Sequence, residues 1–311
     1  MATLHKNLQQ WLEKLNAENS VATSQGYVPT VIAIREGFAG VGRSLITKIP
    51  DVALIREGII PTPGYNVPVR VFHPAPEKEL PVLMYYHGGG HCVGSVSMYD
   101  PVCRKLALAS NHIVVAPEYR LAPETPYPAG QDDCVASAKH VWTVLDGLGM
   151  RYKRVLSVSG DSAGGALAAI VAARSQWDPN LSVHKQVLIY PNTDYTLSSS
   201  SFVELEKGYW LEKGLMEWFS GTYLANNEDR KAVSPLYWEV SKLMPPAIFI
   251  IGQFDPLREE GLAYAEKLKK AEVPAEVAFF DDMMHPFLCL EDLVPEACAK
   301  AYAAMAAFLQ K

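Results

Sequence analysis

The segment Gly160-Asp161-Ser162-Ala163-Gly164 has the form G-x-S-x-G. A serine hydroxyl is a poor nucleophile until a base stands within hydrogen-bond reach of it. In this pattern the serine occupies a sharp turn from a strand into a helix, a strained conformation in which side chains at the flanking glycines would clash. The turn exposes the hydroxyl, and the helix N-terminus behind it favours developing negative charge. The chemistry this points to is acyl transfer through a covalent serine ester. A chance glycine-serine turn is the bland alternative; an apolar run before the motif and an Ala-rich helix pattern after it argue for the functional one.

A base and an acid should follow in the chain order serine, acid, histidine. Downstream of Ser162 the histidines are His184 and His285. His184 comes soon after the nucleophile's helix, just ahead of a strand pattern, and reads as structural. His285 follows the strand pattern 275–280 through a short loop, 281–284, and precedes Pro286. That places it at a strand's C-terminal end, where sites form in such sheets. For the acid, Asp255 lies at the end of the preceding strand pattern, with Pro256 turning the chain away. Asp281 and Asp282 compete but stand too near His285 in sequence. Asp255 can also be read as an N-cap for the helix pattern that runs to 270. Asp255 would orient the imidazole of His285 and stabilise its protonated form.

Acyl transfer also needs donors for the tetrahedral oxyanion. The run His87-Gly88-Gly89-Gly90 closes an apolar strand pattern, and its glycines let two backbone N–H groups approach a substrate closely. The N–H of Ala163, next to the nucleophile, would be a third donor.

Elements at regular spacing must position these groups. Strand patterns cover 53–60, 67–73, 82–86, 113–116, 154–158, 186–190, 247–252 and 275–280. From 102 onward they alternate with helix patterns at 102–109, 131–145, 163–174, 259–270 and 294–309. Alternation of this kind calls for a mostly parallel sheet with helices on both faces. It breaks at 194–243, which is rich in Ser, Trp and Tyr and reads as a helical insertion. The expected organisation is an N-terminal helical cap part (1–51), a first core part (52–193), a cap insertion (194–243) and a second core part (244–311). The cap parts would together cover one edge of the sheet. Tyr195, Trp210, Leu211, Trp218 and Phe219 of the insertion read first as packing, and secondarily as pocket walls.

Composition bounds the rest. The 311 residues are 49% hydrophobic with a net charge of −6, enough for one large core. No basic stripe is present to neutralise phosphates, so nucleic acid is not an expected partner. Residues 1–15 read as an amphipathic helix with Leu4, Leu8, Trp11, Leu12 and Leu15 at helical spacing. Neither a secretory signal nor a run of ~20 apolar residues is apparent, so a cytoplasmic protein that does not engage a membrane is expected. A homodimer is compatible with the sequence. Five cysteines without a CxxC pair read as reduced thiols. Cys103, Cys134 and Cys298 fall in helix patterns as small apolar residues. Cys92 follows the glycine run, but no helix N-terminus activates it as a nucleophile. His87 and His91 lack both a helical spacing and an acidic third ligand, so no metal and no cofactor are expected.

The motif set as a whole resembles the hormone-sensitive-lipase-like (bacterial family IV) esterases of the α/β-hydrolase fold. The matching residues are HGGG at 87–90, YRLAPE at 119–124, GDSAGG at 160–165, DPLREEG at 255–261 and MHPF at 284–287. They stand in the family's order, and the resemblance runs from about residue 59 to the end. It implies an α/β-hydrolase core with a helical cap and hydrolysis of small carboxylic esters with short to medium acyl chains. It implies an oxyanion hole of Gly89, Gly90 and Ala163. Glu124 and Glu259 are supporting candidates, as are His87, Gly88 and Asp161 beside the hole and the nucleophile. Two positions depart from the pattern. Pro286 stands where glycine is common and restricts His285, and His91-Cys92 replace a frequent aromatic after HGGG. An amidase or carbamate hydrolase would share the machinery. A non-catalytic small-ligand receptor is the rival of a different class, and the occupied triad positions argue against it.

Overall fold

In the computed structural model, residues 2–24, 26 and 29–311 are described, so Met1 of the expected N-terminal helix lies outside them. The strands are β1 (Leu54–Ile60), β2 (Val67–His73), β3 (Leu80–Tyr86), β4 (Ile113–Pro117), β5 (Tyr152–Asp161), β6 (Gln186–Ile189), β7 (Ala247–Phe254) and β8 (Ala275–Met284). They form one eight-stranded sheet in the order β1-β2-β4-β3-β5-β6-β7-β8. β2 pairs antiparallel with β1 and β4, and every other pairing is parallel. The expected α/β-hydrolase fold class is thus observed.

Successive residues of a strand point to opposite faces, and the core divides accordingly. Val82, Met84 and Tyr86 of β3 join one apolar cluster with α4 (Ala129–Gly147), α5 (Ala163–Ser175) and α9 (Arg258–Lys270). Leu83 and Tyr85 join the other, with α1 (Lys6–Ser24), α3 (Val96–Ser110) and α10 (Pro295–Gln310). α5 is Ala- and Gly-rich because it is enclosed: every residue from Ala163 to Ala173 is buried. α3 is delimited by its caps. The Ser95 hydroxyl accepts from the Met98 N–H at 3.1 Å, and Asn111 closes the helix at φ +57°.

A third cluster joins the insertion to the loops above the sheet. It contains Phe202 of α6 (Ser200–Glu204), Met216, Phe219 and Tyr223 of α7 (Lys213–Tyr223) and Val233 of α8 (Arg230–Val233). Ile34 and Phe38 of α2 (Val31–Leu45) pack against it. These helices cover the carboxyl ends of the central strands, where Ser162 and His285 lie, rather than a lateral edge of the sheet. The reason is chemical: Cys92, Val93 and Leu257 protrude from strand-end loops there and need an apolar cover. Among the described residues no helix is long and apolar enough to cross a membrane.

Candidate active site

Strand register brings the distant motifs together. Tyr86 pairs with Gly160 across the parallel β3–β5 ladder, so the HGGG run and the G-x-S-x-G turn leave neighbouring strands side by side. Phe254 pairs with Met284 across β7–β8, beyond a bulge at Gly252/Phe254, so Asp255 and His285 also emerge together. The short loop expected at 281–284 is instead the last part of β8, whose ladder with β7 extends to Met284.

Ser162 sits between β5 and α5 at φ +56°, ψ −121°, a strained backbone for a residue with a side chain. Its N–H donates to the Ile189 carbonyl at 2.9 Å, and its carbonyl accepts from Asn192 and Ala166 N–H, each at 3.1 Å. The neighbouring glycines are compulsory. A Cβ on Gly160 would lie 2.2 Å from the Gly164 carbonyl oxygen, and one on Gly164 would lie 2.0 Å from that of Tyr86.

His285 Nε2 stands 3.0 Å from Ser162 Oγ, and His285 Nδ1 stands 2.8 Å from Asp255 Oδ2. Both side chains are buried. Tyr190 packs its ring edge-on against the imidazole at 4.7 Å. Asp255 is not the N-cap of α9, a position held by Leu257, yet both its carboxylate oxygens are engaged. While Oδ2 faces His285, Oδ1 accepts the Leu257 N–H at 2.8 Å at the entrance to α9. Of the competing acids, Asp281 is exposed, and the Asp282 carbonyl accepts the His5 N–H. His184 is exposed away from the site.

Gly89 and Gly90 adopt φ +116° and +58°. Among the described residues, the N–H groups of Gly89, Gly90 and Ala163 donate to no backbone or side-chain acceptor. The turn is fixed by other bonds: the Gly89 carbonyl accepts from Cys92 and Val93 N–H at 3.0 and 2.9 Å. Gly88 differs from its neighbours, because its N–H donates to Asp161 Oδ1 at 2.8 Å. Asp161 also accepts the hydroxyls of Tyr85 (2.8 Å) and Tyr99 (3.0 Å), so one buried carboxyl ties the glycine loop to the nucleophile's turn. Burial pushes that carboxyl's pKa up, against the pull of the two tyrosine bonds. His87 is likewise buried; its Nδ1 faces the Gly88 carbonyl, and its own carbonyl accepts the Tyr119 hydroxyl at 2.6 Å.

The two glutamates expected to support the site lie at its periphery. Glu259 lies at the surface on Arg258, 3.0 Å away, whereas its neighbour Glu260 is buried. Glu260 Oε1 accepts Asn192 Nδ2 at 2.9 Å and the N–H groups of Thr193 and Asp194 at 2.6 and 3.1 Å, bracing the loop whose Asn192 N–H holds Ser162. Glu124 is exposed and, among the described residues, reaches the site through Arg35 of α2. Arg35 makes a bidentate pair with Glu124 and donates to the carbonyls of Cys92 (2.8 Å) and Ala122 (3.0 Å). Arg35 is absent from every motif, and nothing in its sequence context marks it.

Above Ser162 lies an apolar cleft. Tyr195, Trp210, Leu211 and Phe219 line it as the secondary reading of the insertion expects, while Trp218 packs behind Phe219. Sequence reading missed Phe38 and the α7 residues Leu215, Met216, Ser220 and Tyr223. The α7 set does carry a signal, since positions 215, 216, 219, 220 and 223 fall on one helical face. Pro286 borders the cleft beside His285. Cys92 is buried and its thiol is pushed up to about 12 by that burial, far from the thiolate a nucleophile needs. His91 Nε2 pairs with the Tyr195 hydroxyl at 2.8 Å.

Comparison with known proteins bears on the fold and the family. Residues 83–289 match the profile of a family described by the α/β hydrolase fold. The chain is similar to ethyl acetate hydrolase of Pseudomonas putida, 35% identical over 75% of each chain. It is also similar to carboxylesterase NlhH of Mycobacterium tuberculosis, 37% identical over 76% of this chain and 77% of that one. Among solved structures, the hyperthermophilic esterase of the archaeon Pyrobaculum calidifontis superposes with a TM-score of 0.87 at 34% identity, covering 99% of this chain and 98% of that one. The chain belongs to the hormone-sensitive-lipase-like (family IV) branch of the α/β-hydrolase-fold esterases.

Proposed function

We propose that this protein hydrolyses small carboxylic esters of short to medium acyl length, with Ser162, His285 and Asp255 as its triad. The observation that carries this reading is the relay of 2.8 and 3.0 Å contacts from Asp255 through His285 to Ser162, beside three unengaged N–H groups. In the first step His285 Nε2 takes the hydroxyl proton as Ser162 Oγ attacks the ester carbonyl. The oxyanion sits between the N–H groups of Gly89, Gly90 and Ala163; removing one such donor typically costs about 3 kcal/mol. His285 then protonates the leaving alcohol. Water, deprotonated by the same nitrogen, releases the acid. Asp255 acts through the imidazole, holding Nδ1 protonated and Nε2 free to accept. Asp161 and Gly88 hold the two halves of the site at a fixed spacing, and Glu260 supports it from behind. The protein is read as cytoplasmic.

The test is turnover of p-nitrophenyl esters from acetate to decanoate by the wild type and by Ser162→Ala. Cleavage of the shorter esters that vanishes in the variant supports the proposal. Equal silence on every ester removes it.

A further inference from the structure

Helix α9 begins without a cap of its own. Its N-cap position is held by Leu257, whose side chain makes no capping bond, so the first N–H groups need partners elsewhere. The Arg258 N–H donates to the Asp255 carbonyl at 3.0 Å. The Glu259 N–H, at the second helical position, donates to Ser201 Oγ at 3.1 Å. Ser201 belongs to α6 of the insertion, and its hydroxyl donates in turn to the Pro256 carbonyl at 2.7 Å. Both directions are fixed, because an N–H only donates and a carbonyl only accepts. Ser201, with no exposed surface, thus does from α6 what an N-cap side chain ordinarily does from the helix's own chain. Two further contacts hold α6 there. Glu204 pairs with Arg258 Nη2 at 2.7 Å, and Phe202 shares an apolar cluster with Leu257.

The peptide that Ser201 grips is the one that aims the acid. The Pro256 carbonyl and the Leu257 N–H belong to a single planar peptide group. Its oxygen accepts the Ser201 hydroxyl, and its N–H donates to Asp255 Oδ1 at 2.8 Å. Among the described residues the Asp255 carboxylate has one other partner, His285 Nδ1, at 2.8 Å from Oδ2. A chain of bonds therefore runs from Ser201 through the Pro256–Leu257 peptide to Asp255, His285 and Ser162. We propose that Ser201 is a positioning residue for the triad, acting through this peptide to hold Asp255 against His285. The inference rests on the esterase reading and adds a residue of the insertion to it.

The experiment compares Ser201→Ala with Ser200→Ala, the same change at an exposed position of the same helix. Two quantities are read: p-nitrophenyl butanoate kinetics, and the low-field proton NMR signal of His285 Nδ1, which reports the bond to Asp255. Ser201→Ala should lose about tenfold in kcat, since a displacement of 1 Å costs about a hundredfold and this one is smaller. KM should stay within threefold, because Ser201 does not line the cleft. The low-field signal should move or broaden in Ser201→Ala and stay in place in Ser200→Ala. A kcat within threefold of wild type overturns the proposal, as does a larger loss with the NMR signal unmoved. If Ser201→Ala does not fold, Ser201→Cys, whose thiol is a weak donor and acceptor, supplies the comparison against the same limits. Wild-type silence on the ester would instead remove the esterase reading, and the NMR comparison would still decide the positioning claim.

Discussion

Gly164→Ala tests how tightly the nucleophile's turn is built. Its Cβ would lie 2.0 Å from the Tyr86 carbonyl oxygen and 2.5 Å from that of His87, whereas ordinary contact begins near 3.4 Å. Both obstacles are backbone, at the end of β3 and in the residue after it, so no side-chain rotation relieves the clash. The start of α5 must move away from β3 by about 1.4 Å, the difference between 2.0 and 3.4 Å. Overpacking of this kind costs about 3 kcal/mol, which lowers Tm by roughly 5 °C in a chain of this size. The same movement carries Ser162 off the line to His285 and away from the Gly89 and Gly90 N–H groups. A misplacement near 1 Å costs about a hundredfold in rate. Gly214→Ala on α7 is the control, because nothing lies within 4 Å of its Cβ position. The assay pairs thermal melting with p-nitrophenyl butanoate kinetics. A Gly164→Ala protein with kcat/KM within threefold of wild type, and a Tm matching the control, would refute the reasoning.

Further expectations concern the buried groups. Asp255→Asn keeps the bond from the Leu257 N–H but turns an amide toward His285 Nδ1, which favours the wrong tautomer. Its kcat should drop about 10⁴-fold with little change in Tm; a drop below tenfold would count against the triad. The Glu260 carboxyl is pushed well up by burial, with its bonds from Asn192 and the Asp194 and Thr193 N–H groups opposing. A raised folded-state pKa in an acid means stability that is full below the ordinary glutamate range and declines as pH climbs towards the folded value. Glu260→Gln should therefore gain on wild type in melting temperature from pH 5 to pH 8, and a gap that is flat or shrinks over that range contradicts it. All five cysteines are buried, so a thiol reagent at pH 8 should find none in the native protein and five in denaturant; rapid native labelling at Cys92 would be the adverse result. Arg35→Met removes the donors that join α2 to the Cys92 and Ala122 carbonyls. KM should rise several-fold as Phe38 shifts, with kcat less affected, and an unchanged KM would show that α2 is held by packing alone.

What could be read from the chain and what could not divides along physical lines. Strands such as 67–73 and 113–116, the latter observed to Pro117, were legible because β-branched runs bounded by turn residues occur in few other settings. Ser162 was legible because the demand for glycine at 160 and 164 is steric and local. His285 and Asp255 followed from chain order and strand ends. Glu260 was not legible for a simple reason: adjacent helical residues point about 100° apart, and the motif does not say which one faces inward. The insertion's seat over the strand ends depends on Phe38 meeting residues nearly two hundred positions away in α7, a tertiary contact with no local periodicity. The same holds for Arg35, whose partners are backbone carbonyls without sequence identity.

The most direct test of the central claim is covalent mapping of the nucleophile. The protein is treated with an aryl alkylphosphonate ester and the labelled residue is located by peptide mass spectrometry. One equivalent on Ser162, with ester hydrolysis lost in step with labelling, is the predicted result. Label on another residue, or hydrolysis that survives full modification of Ser162, would contradict the account.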